Sequence, residues 1–218
     1  MKRKEFLHKI ILGTAGFLFL PSESYSKTLP VNTRTKPNPS IWKNDEINIA
    51  WIGHSTILIN FYGKIILTDP VLFERVGINL LGITFGPTRL TKPALEISEI
   101  PKPDLIILSH AHMDHMDIST LKHFTNNYPY EIDCLTAFNT KDVIEDLKWK
   151  SLNELDWNEE LEIADLKIKA IEVKHFGWRY PWERDRSKGY FKNGRSYNAY
   201  LIERLGRKIF FGGDTAMT

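Results

Sequence analysis

The sequence predicts a mixed α/β (α+β) domain made mostly of strands, and two observations predict it. Short apolar runs rich in β-branched residues recur between tight-turn dipeptides, which is the signature of strands and hairpins. At three places such a run ends abruptly in residues that carry chemistry: SHAHMDHMD after DLIIL, His175 after LKIKAIEV, and Gly212-Gly213-Asp214 after RKIFF. A strand that ends in polar residues delivers them together at one edge of a sheet, the usual place for a site in an α/β fold.

The chain has 218 residues with 42% hydrophobic and 12% aromatic content, enough for one sizeable globular domain and unlike disordered or fibrous chains. The net charge of +2 comes from the N-terminus. Removing the four Lys/Arg and two Glu that precede Lys27 from the totals of 29 and 27 leaves 25 of each sign. A balanced body argues against nucleic-acid binding, which depends on excess Lys and Arg neutralising phosphates. One cysteine, Cys134, excludes an intrachain disulfide and an all-thiolate zinc site.

Residues 1–26 read as a signal peptide. Lys2, Arg3, Lys4 and Lys9 flank the apolar run Ile10 to Leu20, which Pro21 ends, and Ser24-Tyr25-Ser26 offers a small-x-small cleavage site. RKEFLHK resembles a twin-arginine signal with Lys4 in the second Arg position. Export to the periplasm is the expectation, with the cytoplasm or inner-membrane anchoring by an uncleaved segment as alternatives. No Cys follows the apolar run, which argues against a lipoprotein anchor. Residues 27–46, rich in Pro, Thr, Asn and Ser, are expected to be a linker, and 47–218 the domain.

From Ile47, INIAWIG, STILINF and KIILT predict a β-meander with Tyr62-Gly63 as a turn. His54, in the GHS junction, and Asp69, in TDP, sit at strand ends. Each is either a turn former or a residue that orients metal ligands from behind. The stretch from Val71 to Lys92 is rich in glycine and apolar residues; packing on the sheet is favoured over a lid or lipid-contacting loop. DLIIL then predicts a buried strand. His110 and His112, two apart, point the same way in extended backbone and can share an ion, with Asp114 and His115 aimed at a neighbouring one.

Asp117 or Ser119 should cap a short helix over 121–124, leaving His123 outside the cluster. IDCLTA predicts a strand, and Asn139 is expected to cap a helix over TKDVIEDLKWK. Leu161 to Val173 predicts two strands about Ala164-Asp165, the second running into His175. The loop from Phe176 to Arg195 carries six Arg/Lys and interleaves Trp178, Tyr180, Trp182, Tyr190 and Phe191; it either overhangs the site or is a solvated surface loop. SYNAYLIE and RKIFF predict a hairpin about Leu205-Gly206.

Together WIGHSTILI, ILTDPVL, SHAHMDHMD, a His after a strand and GGDT resemble the metallo-β-lactamase superfamily. They are most similar to the branch that holds N-acyl-phosphatidylethanolamine-hydrolysing phospholipase D and the ascorbate-phosphate lactonases. The resemblance implies an αββα sandwich with two metals at one edge. His110, His112 and His175 would hold the first ion, Asp114 and His115 the second, and Asp214 would bridge, with His54 and Asp69 behind them.

The implied cofactor is zinc, two ions per intact site, with iron or manganese as alternatives. The implied activity is hydrolysis of a phosphodiester of an N-acylated phospholipid, or else of a lactone or other ester, with Asp114 orienting the attacking water and taking up its proton. The implied partners are a small-molecule or lipid substrate and peripheral membrane contact, without nucleic acid; nothing in the sequence speaks to oligomeric state. The family supplies the second ion with a further His beyond GGDT, whereas no His follows His175 here. The sequence therefore reads as a partial form, its second half-sandwich and second site incomplete, and an inactive metal- or lipid-binding fragment is the reading of another class.

Overall fold

The computed structural model describes residues 36–80, 83–183, 186 and 194–216. The expected signal peptide and residues 27–35 of the expected linker lie outside the described residues. Among those described, no helix is long and apolar enough to cross a membrane.

Two β-sheets face each other. The larger has the order β1-β2-β3-β6-β7-β8, from β1 (Ile47–Gly53), β2 (Thr56–Phe61), β3 (Lys64–Thr68), β6 (Leu105–Ile107), β7 (Asp133–Ala137) and β8 (Ser151–Leu155). β1 to β3 form the antiparallel meander, and β3, β6, β7 and β8 run parallel. The smaller sheet is antiparallel with the order β12-β11-β10-β9, from β9 (Glu160–Ile163), β10 (Leu166–Glu172), β11 (Asn198–Arg204) and β12 (Arg207–Phe211). A separate two-stranded ribbon, β4 (Ile78–Leu80) and β5 (Ile83–Phe85), stands in the excursion between β3 and β6.

Strand alternation builds two cores. Ile59, Phe61, Ile66, Leu105, Ile107 and Leu135 face the second sheet, where Leu166, Ile168, Ala170, Tyr200 and Ile202 meet them. Leu58, Leu67, Ile106, Leu108 and Cys134 point the other way and are covered by Leu121 and Phe124 of the single described α-helix, α1 (Ile118–Asn127), with Ile144 and Trp149. β6 is buried on both faces, as its continuous apolar run requires. The outward positions of the smaller sheet, such as Lys167, Lys169 and Lys208, carry charge, and no described helix covers them. The layers are therefore α, β and β of an αββα sandwich.

Three hairpins turn at the expected dipeptides, Tyr62-Gly63, Ala164-Asp165 and Leu205-Gly206, each with both residues at positive φ. That backbone matches the twist of the flanking strands. α1 is longer than the expected 121–124, and Asp117 rather than Ser119 is its cap, accepting from the amides of Ser119 and Thr120.

The expected helix over 140–150 is absent. Asn139 sits at φ 59 and only a 3₁₀ turn, Lys141–Val143, forms. The Glu154 carboxylate of β8 accepts from the amides of Thr140 and Lys141, and the Trp149 indole donates to the carbonyl of Ile144. These partners replace a helical ladder, so the segment buries Ile144 and Trp149 as a compact crossover into β8. The polar run SLNEL gave no strand signal, yet its amides extend the sheet beside β7.

Candidate metal centre

The three strand ends converge. β6 leads directly into Ser109 and His110, β10 into His175 and β12 into Gly212, Gly213 and Asp214. β11, which lies between β10 and β12, ties the first strand end to the other two: the amide of Asn198 donates to the Ser109 carbonyl at 2.8 Å, and the Tyr200 hydroxyl to the Leu108 carbonyl at 3.1 Å. Gly213, at φ +57, lies so close to β6 that an added Cβ would stand 2.6 Å from the Ser109 Cβ. Glycine at this position is what lets Asp214 reach the cluster.

Three imidazole nitrogens meet at the centre. His110 Nε2 and His112 Nδ1 are 2.7 Å apart, and His175 Nε2 is 3.2 Å from the first and 3.4 Å from the second. Beside them His115 Nε2 lies 3.3 Å from Asp214 Oδ2 and 3.9 Å from Asp114 Oδ2, and His175 Nε2 lies 3.9 Å from Asp214 Oδ2. His54 Nε2 is 3.1 Å from Asp114 Oδ2. The structure thus brings together all six residues expected to hold metal. His123 lies apart, edge-on to Phe73 and Phe124.

Asp69 organises the arrangement from behind. It is fully buried, at φ 36, with its amide bonded to the Ile107 carbonyl and its carbonyl accepting from Thr56 Oγ1. Its carboxylate accepts from the Ser109 amide at 2.7 Å, Ser109 Oγ at 2.6 Å and His115 Nδ1 at 2.7 Å. An ionised carboxylate only accepts, so the single Ser109 hydroxyl proton goes to Asp69 and Ser109 Oγ must accept from His110 Nδ1, 2.8 Å away. Both His110 and His115 are therefore protonated on Nδ1, and both turn an Nε2 towards the cluster. One carboxylate fixes two tautomers.

Arg179 supplies a second tie. Its guanidinium is buried and donates through Nη1 to the carbonyls of Ala111 (2.8 Å) and Met116 (3.0 Å), one on each side of the Asp114-His115 pair. Ser109 and Arg179 were not singled out from sequence. Ser109 stood inside the motif unremarked, and Arg179 is one of six cations in its loop with nothing local to distinguish it. Phe176 of the same loop packs 4.7 Å from the rings of both His112 and His175, so the loop begins against the site, while its residues 184–185 and 187–193 lie outside the described residues.

Electrostatics separate the ligands by environment. Burial and neighbouring imidazoles press His110 well below its ordinary value and His112 down to about 4, so both are neutral at neutral pH. Burial acts the same way on His115, but the carboxylates of Asp69 and Asp214 outweigh it and push it up to about 10. The hydrogen bond from His54, against burial, holds Asp114 down to about 2.

This donor set fits a divalent cation. Three imidazole nitrogens aimed at one point are suited to share a positive charge, and nitrogens held at about 2.0–2.1 Å by a tetrahedral ion lie roughly 3.3–3.4 Å apart, near the two His175 spacings. The raised His115 marks a second place that demands positive charge, supplied by a proton or by a metal.

An apolar cavity of about 750 Å³ opens beside His54 and Asp114, with walls from Trp51, Ile78, Phe85, Leu90 and Met113. The expected packing of residues 71–92 holds at its start, where Val71 and Leu72 are buried, and burial resumes beyond it at Leu95. The ribbon between them stands away, leaving Ile78, Phe85 and Leu90 exposed.

Comparison with known proteins agrees with this geometry. A C. elegans N-acyl-phosphatidylethanolamine-hydrolyzing phospholipase D is 26% identical over 96% of this chain and 58% of its own length. A UPF0173 metal-dependent hydrolase of Thermoplasma acidophilum is 27% identical over 78% of this chain and 62% of its own. The crystal structure of a possible metal-dependent hydrolase from Veillonella parvula superposes with a TM-score of 0.56 at 17% identity, covering 78% of this chain and 63% of that one. The chain spans about half the length of the curated relatives it matches. Residues 64–218 match the family described as the beta-lactamase superfamily domain, and with the facing sheets and the strand-end cluster this chain belongs to the metallo-β-lactamase superfamily.

Proposed function

We propose that the chain carries the metal centre of a metal-dependent hydrolase, a phosphodiesterase acting on a lipid-like substrate. The observation that carries the reading is the meeting of His110 Nε2, His112 Nδ1 and His175 Nε2 within 3.4 Å, beside Asp114 and Asp214. His110, His112 and His175 would hold one ion, Asp114 and His115 a second, and Asp214 would reach both. Zinc suits this imidazole and carboxylate set, and the ions supply Lewis acidity and a nucleophile at neutral pH.

The chain's own groups divide the remaining work. Asp114, ionised down to about 2, accepts a hydrogen bond from the attacking water and orients it. The cavity walls at Trp51, Ile78, Phe85, Leu90 and Met113 would hold an acyl arm with the scissile group at His54 and Asp114. Each buried methylene contributes about 0.8 kcal/mol, so even a short arm adds useful affinity. The exposed Ile78, Phe85 and Leu90 support shallow contact with a lipid surface, and the N-terminal segment supports export. The phospholipase D relative supports the phosphodiester over a lactone or ester.

The test is turnover by zinc-loaded protein of an N-acyl-phosphatidylethanolamine, of a short-chain phosphodiester and of a simple lactone, with His110→Ala alongside. Long-chain phosphodiester turnover abolished by His110→Ala is expected. Lactone turnover alone would remove the phosphodiesterase reading, and no turnover by protein holding two zinc ions would remove the hydrolase.

A further inference from the structure

We infer that His54 is a direct ligand of the second metal ion, binding through Nε2 together with Asp114, His115 and Asp214. This rests on the metal-dependent reading above and departs from what the family resemblance implies, since there this ion takes its extra imidazole from beyond the GGDT strand. His54 arrives from the opposite flank, the turn between β1 and β2.

The turn holds His54 in place. The residue has φ 53, a conformation that costs a non-glycine residue about 1 kcal/mol or more and persists only where its surroundings impose it. The Trp51 indole donates to the His54 carbonyl at 2.7 Å, which fixes the backbone and leaves the ring directed at the cluster. One ligand atom each from His54, Asp114 and His115 lies within 4.8 Å of the others. His54 Nε2 to Asp114 Oδ2 is 3.1 Å and His115 Nε2 to Asp214 Oδ2 is 3.3 Å, close to the roughly 3.3 Å between donors sharing one tetrahedral ion. His54 and Asp214 line a common cavity with Ser55, Gly212 and Gly213, so both pairs open onto the same space.

Charge agrees with the geometry. Two carboxylates and two neutral imidazoles balance a divalent ion. His115 presents Nε2 because Asp69 holds its Nδ1 proton. The competing role for His54 is a donor that keeps a proton on Nε2 and hydrogen-bonds Asp114 from behind. The two roles differ in one observable: a ligand loses the Nε2 proton, and a donor keeps it.

Protein labelled with ¹⁵N-histidine, stripped of metal, is titrated with zinc while the ring nitrogens are followed by NMR. The His54 signals are assigned by their loss in His54→Gln, a half-exposed position that tolerates the change. The expected result is that the first equivalent moves His110, His112 and His175, and the second removes the proton from His54 Nε2. His54→Gln should then hold its second zinc at least tenfold more weakly. A His54 Nε2 that keeps its proton with two zinc ions bound overturns the assignment. Uptake of one ion, confined to His110, His112 and His175, also overturns it and leaves the hydrolase reading standing. Failure to bind zinc at all sinks both.

Discussion

Asp69→Asn tests the idea that one buried carboxylate sets the ligand tautomers. The amide keeps the shape and keeps the bond from the Ser109 amide, but its Nδ2 replaces the oxygen that accepts from Ser109 Oγ and His115 Nδ1. Two donors then face a donor. Each bond to a charged group contributes roughly 1.5–3 kcal/mol, so losing both costs about 3–6 kcal/mol if nothing rearranges. His115, which carries a proton on both ring nitrogens in metal-free protein, can relieve part by giving up the Nδ1 proton and accepting from the new amide, which brings the cost to about 2–4 kcal/mol out of a typical 5–15. That rescue fixes an N–H towards Asp114 and Asp214 and removes the lone pair a metal needs. Urea denaturation of metal-free protein and a zinc competition titration measure the two effects, the second expected as a 10–100-fold loss of affinity. If zinc binds within about threefold of the unaltered protein while the fold is intact, the tautomer argument is wrong.

Further outcomes follow from other contacts. Arg179→Met strips the carbonyls of Ala111 and Met116 of their shared donor and should cost about 2–4 kcal/mol in thermal denaturation, with weaker zinc binding than a surface Arg→Met control. Gly213→Ala places a Cβ against Ser109 at positive φ, so a loss of about 1–3 kcal/mol and displacement of Asp214 are expected, read as a lower melting temperature and weaker metal binding. Phe85→Ser should raise KM several-fold for a long-acyl phosphodiester and leave a short-chain one unchanged. Burial pushes the Glu183 carboxyl up, but bonds from Arg195 and the amides of Arg179 and Tyr180 outweigh this and hold it low. A depressed carboxyl contributes stability that is present above its ordinary range and lost as pH falls through its folded value. Hydrogen exchange in residues 176–183 should therefore accelerate as the pH falls below the ordinary carboxylate range, and Glu183→Gln should remove that dependence.

The strands were legible because each carries its own signal. The meander, β6, β9, β10, β11 and β12 are apolar runs whose alternation and turn dipeptides are local, so each lies where its residues place it. The HxHxDH motif was legible because ligand spacing along one strand end is itself local. The failures share one cause. Residues 140–150 have helical spacing, but partners on β8 and the burial of Trp149 decide their shape, and β8 forms because β7 offers it an edge.

The sequence by itself determined which residues can bind a cation and that they stand at strand ends, because residue type and alternation are properties of the chain. Tertiary structure alone decided that His175 and Asp214 reach His110, that Asp69 aims two rings and that Arg179 clamps the loop. Those contacts join residues tens of positions apart. They exist only once the two sheets close on their shared core, and no local pattern encodes them.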